Sequence, residues 1–330
     1  MLSPFTGKEM TILKEWRTMT YKKEDFHVCF HTWKCEETGE QFEDEHFAQL
    51  NYDQVQNQYR EKYAIPFKDE IIAIREKYDL SAIKMSQILG FGDNTYRQYE
   101  AGEMPSQANA RLIFIASKPF EFKHMVRISD IDEQLRDKLY KRIEHLIQSE
   151  TQNFEKQLLS NYLFGVERPS VFSGFRMPDI EKFAEMVLFF SEKLEPWKTK
   201  LNKLLFYADF DCFGKTGKSI SGINYRAINM GPVPEKFQSL FDYLENNGVV
   251  KINVISFCNG GIGEQFLPAE RKCNETLFSV EELKVLTEVA EKFKDTSTNE
   301  IINYSHREKA WLENKDSHGL INYMYAFDLN

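Results

Sequence analysis

Gly217-Lys218-Ser219 has the residue types that close a phosphate-cradling loop, within the stretch "DCFGKTGKSISG" at residues 211–222. The chemistry of such a loop is specific: backbone amides hold the phosphates, the lysine neutralises them, and the hydroxyl ligates a magnesium ion. The loop must also follow a buried strand and open a helix, so that the helix N-terminus meets the anion. Neither requirement is met. The first glycine of the motif belongs at position 212, where the chain has Cys212. Leu201, Leu204, Leu205 and Ala208 repeat with helical spacing before the glycines, and residues 220–228 after them read as a strand containing Gly222, so the order is inverted. The glycines therefore read as a turn between a core helix and a strand, with solvated lysines. Ser305 and His306 are a second place where a nucleophile and a base coincide, but adjacent residues do not by themselves form the usual nucleophile–base geometry. His306 is read as a structural hydrogen-bonding group. With no other catalytic constellation, the expectation is a protein that is not an enzyme and carries no cofactor.

Metal chemistry comes next. Two N-terminal turns, "SPFTG" and "CEETG", share the pattern X-x-x-X-G. A two-knuckle zinc site places a cysteine at each X, because four thiolates complete a tetrahedral shell. The four positions here are Ser3, Thr6, Cys35 and Thr38, and one thiolate does not hold a structural zinc. Cys29, His27 and His31 lie nearby, at a spacing that matches no known knuckle. The preferred reading is a small sheet that keeps both turns and replaces the metal with hydroxyl hydrogen bonds and aromatic packing. Residues 1–60 thus form a small β-rich, zinc-finger-like domain without zinc ligands.

Side chains suited to reading DNA bases lie between residues 61 and 120. Ile71, Ile74 and Tyr78 mark one helix face. Ser81 caps a second helix with Ile83, Ile88 and Leu89 inward and Ala82 and Met85 as smaller fillers. Gly90-Phe91-Gly92 makes a tight turn, and a third helix from Asn94 to Ala101 ends at Gly102. Met104-Pro105-Ser106 leads into a fourth, carrying Leu112, Ile113 and Ile115. Asn94, Thr95, Arg97 and Gln98 are the exposed side chains of the third helix, and Lys84 is a nearby cation. Asn and Gln suit adenine, Arg suits guanine, and a threonine methyl suits thymine. Tyr96 and Tyr99 pack inward or touch phosphate. Arg75, the glycine turn, "YEAG" and Pro105-Ser106 together resemble the Cro/repressor-type helix-turn-helix family, whose third helix enters the major groove. The charge of residues 68–118 is balanced, which weakens non-specific electrostatic binding; a helical module devoted to protein contacts is the competing reading. Joined to the two turns, "GFGDNTYRQYEAG" resembles the MqsA-type antitoxin layout, with the zinc cysteines mostly lost.

Residues 121–170 read as a helical connector and linker. Ser129 with Asp132 and Glu133 suggests a capped start, and Ile131, Leu135, Leu139, Ile143, Leu146 and Ile147 form a stripe that could continue through Phe154 and Leu158. The stripe suits dimerisation or packing on the chain's own domains. "GVERPSVFSGFRMPD" has the composition of an interdomain linker.

From Pro178 the chain turns helical again, with Ile180, Phe183, Val187, Leu188 and Leu194 on one face. "KLNKLLFYA" (200–208), Tyr225-Arg226-Ala227, "GPVPE" (231–235), Ser305-His306 and Ala310-Trp311 follow. "GPVP" reads as a rigid turn opening a helix. "VVKINVISF" and "EQFLPA" read as strands joined by "CNGGIGE" in a hairpin, and Ser279 with Glu282 as a capping box. Together these pieces resemble the SocA-like Panacea (GepA-like) domain over about residues 178–325. The resemblance implies that residues 171–330 neutralise a protein toxin, with Lys203, Tyr207, Tyr225, Arg226, Pro232, Val233, His306 and Trp311 as candidate toxin-binding positions. Some such domains instead act as adaptors that deliver a toxin to a protease.

Composition bounds these readings. The 330 residues accommodate two or three domains of roughly 100–200 residues each. A net charge of −9 is not that of a protein living mainly by clamping nucleic acid, and suits a basic protein partner. Five scattered cysteines suit reduced thiols, and no apolar run or leader pattern suggests a membrane or secretion. The fold expected is multidomain α+β. The function expected is a cytoplasmic, bacterial or prophage antitoxin that binds its cognate toxin and regulates its own operator, with a homo-oligomer as one option. A ligand-responsive transcription regulator is the alternative.

Overall fold

In a computed structural model, which describes residues 1–152, 154–166, 168–257 and 260–330, the N-terminal residues build a long antiparallel hairpin. β1 (Thr11–Tyr21) and β2 (Glu24–Lys34) pair from Thr11↔Lys34 to Tyr21↔Glu24. The link is two residues, Lys22 and Lys23, both at positive φ, as the turn that matches strand twist requires. A short β3 (Gln41–Phe42) adds to the far end of β2, and α1 (Glu45–Tyr63) follows. The "SPFTG" and "CEETG" turns are alike: Gly7 N donates to Ser3 O (2.9 Å) and Gly39 N to Cys35 O (2.8 Å), both glycines at positive φ. They converge on the buried Cys35, whose sulfur lies 3.6 Å from Thr6 Oγ1. Hydrogen bonds from Ser3, Thr38 and Thr6 hold the thiol down to about 6. Hydroxyls occupy the ground a metal would take. Cys29 and His31 are buried, while His27 is exposed and stacks on Trp16. Among the described residues no group of three or more His, Cys, Asp or Glu side chains is gathered to hold a metal ion.

The chain divides into two compact units, one of residues 1–55 with 160–330 and one of residues 56–159. The second is helical: α2 (Lys68–Lys77), α3 (Ala82–Leu89), α4 (Thr95–Glu100), α5 (Gln107–Ala116), α6 (Pro119–Ile128) and α7 (Glu133–Gln152). Ser81 caps α3 through Lys84 N, and Gly90 ends it at φ +71°. Ile71, Tyr78, Met85, Ile88, Tyr96, Ile113, Phe122, Val126, Leu139 and Ile143 form one core. Three sequence expectations are corrected. Ile83 points outward, 38% exposed, while Met85 and Ser86 are buried in its stead. Residues 119–128 are a helix of their own, started by Pro119 at its first turn, and Phe122 stacks on Tyr78 at 4.0 Å. Ser129 ends that helix, and Asp132 caps α7 through Leu135 N (2.8 Å). The stripe of α7 packs on this unit's own core, which accounts for its apolar spacing. The expected continuation lies in α8 (Phe154–Phe164); residue 153 is outside the described residues.

The first unit is completed by α9 (Ile180–Leu194), α10 (Lys198–Thr216), β4 (Tyr225–Ile228), β5 (Gly231–Pro234), α11 (Phe237–Asn246), β6 (Val250–Ser256), β7 (Ile262–Pro268), α12 (Val280–Lys292), α13 (Thr298–Ser305), α14 (Lys309–Leu312) and a 3-10 turn, Tyr323–Asp328. α10 is buried on nearly every side and runs through the middle, with Leu201, Leu204, Phe206, Phe210 and Phe213 fully enclosed and Lys200, Asn202, Lys203 and Asp209 buried beside them. Ser279 and Glu282 form the expected capping box on α12. "GPVP" is strand β5, not a turn. Its two-residue hairpin to β4 pairs Ile228↔Gly231 and Arg226↔Val233. By alternation those residues carry the ladder bonds, so the missing N–H groups of Pro232 and Pro234 fall on the outer side. The β6–β7 hairpin matches the expected strands; residues 258 and 259 of its connection lie outside the described residues.

Candidate functional site

The backbone that follows the glycine-lysine-serine residues is built around a buried carboxyl group. α10 ends at Gly217, φ +72°. Asp209, wholly buried on α10, accepts from Ile220 N (2.8 Å), Ser221 N (2.8 Å), Ser221 Oγ (2.5 Å) and Tyr225 Oη (2.8 Å). Burial pushes its carboxyl up, and the hydrogen bonds from Ser221 and its neighbours oppose that rise. The amides of the glycine-lysine-serine residues themselves are engaged elsewhere, Gly217 N with Phe213 O (2.8 Å), Lys218 N with Thr216 Oγ1 (3.3 Å) and Ser219 N with Gly174 O (3.0 Å). Ser219 is buried too, donating to Ser173 O (2.8 Å). Residues 219–224 are consequently loop, and the strand begins only at Tyr225; the backbone that reads as strand binds a side chain instead of a neighbour.

Nearly two turns earlier on α10, Lys203 is completely enclosed. Its Nζ donates to the outward-facing carbonyl of Pro232 (2.9 Å). Burial lowers the amine to about 7. Gly231 makes this approach possible: at φ +96°, a Cβ there would lie 2.6 Å from Ser305 Oγ and 2.7 Å from Lys203 Cε. Ser305 donates to Ile302 O (2.8 Å), within its own helix, and so is not poised on His306. His306 lies flat on Trp311, ring centres 3.8 Å apart and planes at 5°. Trp311 Nε1 donates to Ile228 O (2.7 Å). Burial, then the nearby Lys203, lowers the imidazole, whose buried Nε2 has no hydrogen-bond partner among the described residues. These contacts pin α10, the β4–β5 hairpin, α13 and α14 together.

The candidate toxin-binding positions divide accordingly. Lys203, Tyr207, Tyr225, Pro232 and Val233 are buried. Tyr207 donates to Glu308 (3.1 Å), which also accepts from Asn330. In this fold these five side chains are scaffold and present no surface. Arg226 is half-exposed, donating to His318 O (2.7 Å) and pairing with Glu235 (2.5 Å); His306 and Trp311 are also half-buried. Three exposed apolar residues outside the expected set stand near these positions in sequence. Met230 (49% exposed), Tyr304 (48%) and Leu312 (43%) each neighbour a member of the pinned cluster in sequence. No periodic signal marks them, because Met230 stands in the turn between β4 and β5 and Tyr304 and Leu312 lie outside the buried faces of α13 and α14.

In the helical unit, Asn94, Arg97 and Gln98 are exposed, and Thr95 and Lys84 are half-buried. The spacing of 94, 97 and 98 places them on one side of α4. Asn94 sits at the N-cap without a side-chain cap bond. Tyr96 and Tyr99 both face inward, Tyr96 donating to Ile71 O (2.7 Å) and Tyr99 accepting from Asn109 (2.7 Å). Arg75 is committed to Glu100 and to Leu80 O, so the "YEAG" glutamate ties α2 to α4. Lys84 reaches Gln87 (3.1 Å).

Residues 201–312, from α10 to α14, match the family model described as Antitoxin SocA-like, Panacea domain. No curated protein and no solved structure matches the chain. The C-terminal part of the first unit is thus similar, over α10 to α14, to an antitoxin-like domain. No helix among the described residues is long and apolar enough to cross a membrane.

Proposed function

We propose that the chain is an antitoxin acting in the cytoplasm, which neutralises a cognate protein toxin by direct binding. The observation that carries this reading is the Panacea match over α10–α14. The toxin would rest on the surface around Met230, Tyr304 and Leu312, with Arg226, His306 and Trp311 at its margin. Lys203, Tyr207, Tyr225, Pro232 and Val233 would hold that surface in shape. The net charge of −9 suits a basic toxin. In the helical unit, Asn94, Thr95, Arg97 and Gln98, with Lys84 beside them, would read an operator in the chain's own promoter through the major groove. The exposed, polar side of α4 supports that part.

Expression of the neighbouring gene's product alone and together with this chain tests the proposal. Growth arrest by the product alone, relieved by co-expression with the toxin still present at its full level, is the expected result. Relief accompanied by disappearance of the toxin assigns the chain to delivery for degradation. A harmless product that does not co-purify removes the antitoxin reading and leaves a regulator responsive to some other ligand.

A further inference from the structure

The two edges of the N-terminal hairpin are treated differently. On β2, side-chain amides of α1 seal the free edge: Gln54 accepts from Cys29 N (2.9 Å) and donates to Cys29 O (2.8 Å), and Asn51 does the same for His31 (2.8 and 2.9 Å). Cys29 and His31 therefore turn their backbone groups away from β1. Their partners across the ladder are Trp16 and Lys14. In an antiparallel pair both members of such a position face outward, so β1 turns the N–H and C=O of Ile12, Lys14, Trp16, Thr18 and Thr20 outward. No backbone group from Ile12 to Thr20 makes a hydrogen bond on that side among the described residues. The strand is also exposed, with Ile12 51% and Trp16 39% accessible. Exposed edges of this length are usually blunted or covered, because they template pairing with another chain.

From this edge we infer that β1 pairs antiparallel with β1 of a second copy about a two-fold axis at Trp16. The strand's own sequence selects the second copy as occupant. An axis at Trp16 sets Trp16 opposite its equivalent, Lys14 opposite Thr18, Ile12 opposite Thr20, Leu13 opposite Met19, and Glu15 opposite Arg17. Trp16, Lys14, Thr18, Ile12 and Thr20 all face outward, so each of these opposed pairs forms ladder bonds. Glu15 and Arg17 fall at the closer, non-hydrogen-bonded positions, where cross-strand side chains interact most directly. Symmetry supplies that opposite-charge pair twice. Arg17 already pairs with Glu15 within one copy and lies over the Phe30 ring at 4.4 Å, so both groups stand near the position the pairing needs. The interface is isologous and closes on itself, so it yields a dimer and no fibre. This inference does not depend on the antitoxin reading.

Sedimentation equilibrium of the full chain and its variants tests it. The wild-type protein is expected to dimerise at micromolar concentration. Glu15→Arg sets like charges opposite each other, as does Arg17→Glu, and each is expected to weaken the dimer by about tenfold or more. Mixing the two single variants restores opposite charges across the axis, so a one-to-one heterodimer is expected from two proteins that are each monomeric. Charge pairing within one copy cannot produce that rescue. Thr18→Pro, which removes an outward N–H and leaves the β1–β2 ladder intact, is expected to give a monomer with unchanged far-ultraviolet circular dichroism. A monomeric wild type, single variants that dimerise as well as the wild type, or a mixture that stays monomeric overturns the proposal. If the dimer survives Thr18→Pro while binding of a partner protein is lost, the edge belongs to that partner and self-pairing is refuted.

Discussion

Replacing Lys203 with methionine tests how the core around α10 is held. The amine is enclosed, its partner is the Pro232 carbonyl, and burial lowers it from 10.5 to about 7. The unfolded chain keeps its proton up to about 10.5, whereas the folded chain releases it near 7. Between those values unfolding takes up a proton, so raising the pH disfavours unfolding and stabilises the fold. Below pH 7 both states are protonated and the cost of the buried charge is present in full; above 10.5 it is gone. For one group with these values, wild type gains about 2 kcal/mol between pH 7 and pH 9 relative to a variant lacking it. The variant retains every other titrating group, so the difference isolates Lys203. Urea unfolding of wild type and Lys203→Met at the two pH values, at fixed ionic strength, measures it. Equal changes in the two proteins would refute the claim that a desolvated amine sits under Gly231.

The other predictions concern the remaining elements. Asp209→Ala leaves Ile220 N, Ser221 N and Tyr225 Oη without their acceptor and should cost at least about 3 kcal/mol in denaturant titration. Asp209→Asn keeps one acceptor oxygen and should cost less. Leu139→Ala, in the core of the helical unit, should destabilise that unit by about 2–5 kcal/mol and leave the association state of the folded protein unchanged, as sedimentation will show. Arg97→Ala should weaken binding to the chain's own promoter fragment by about 1–3 kcal/mol if Arg97 reads a guanine; unchanged affinity in a gel-shift titration removes it from the reading face.

Local signals in the sequence carry much of the fold. Ser81, the Ser279–Glu282 box and the glycines at 90 and 217 end helices where their chemistry says they should. The order of helix, glycine turn and expected strand, with Cys212 in place of the first glycine, disposes of the phosphate loop on sequence alone, and the structure adds that the amides of Gly217, Lys218 and Ser219 go to Phe213 O, Thr216 Oγ1 and Gly174 O. Long-range contacts are less legible. Gly231 to Pro234 looks like a turn because two prolines lack N–H groups, yet both fall on the outer side of a two-stranded pair. Residues 220–224 read as a strand, but the amides of Ile220 and Ser221 go to a residue on α10 that no local pattern can name, and those of Gly222 and Ile223 go to the Ser219 and Ser221 hydroxyls. The candidate site shows the same limit. Residues that define a fold recur because they fill its interior, so five of the eight motif positions are buried. Met230, Tyr304 and Leu312 become visible only once exposure is known. The stripe on α7 fits self-association and intramolecular packing equally well as a pattern, and only the positions of Tyr78, Phe122 and Val126 show what covers it.

The most direct measurement is calorimetric titration of the purified full chain with the purified product of the neighbouring gene, comparing wild type with Met230→Glu. Saturable binding at a fixed stoichiometry, weakened at least tenfold by Met230→Glu with no change in melting temperature, is the result predicted for a toxin held on the β4–β5 surface. Absence of binding by the wild-type chain to a product that arrests growth would contradict neutralisation by direct contact.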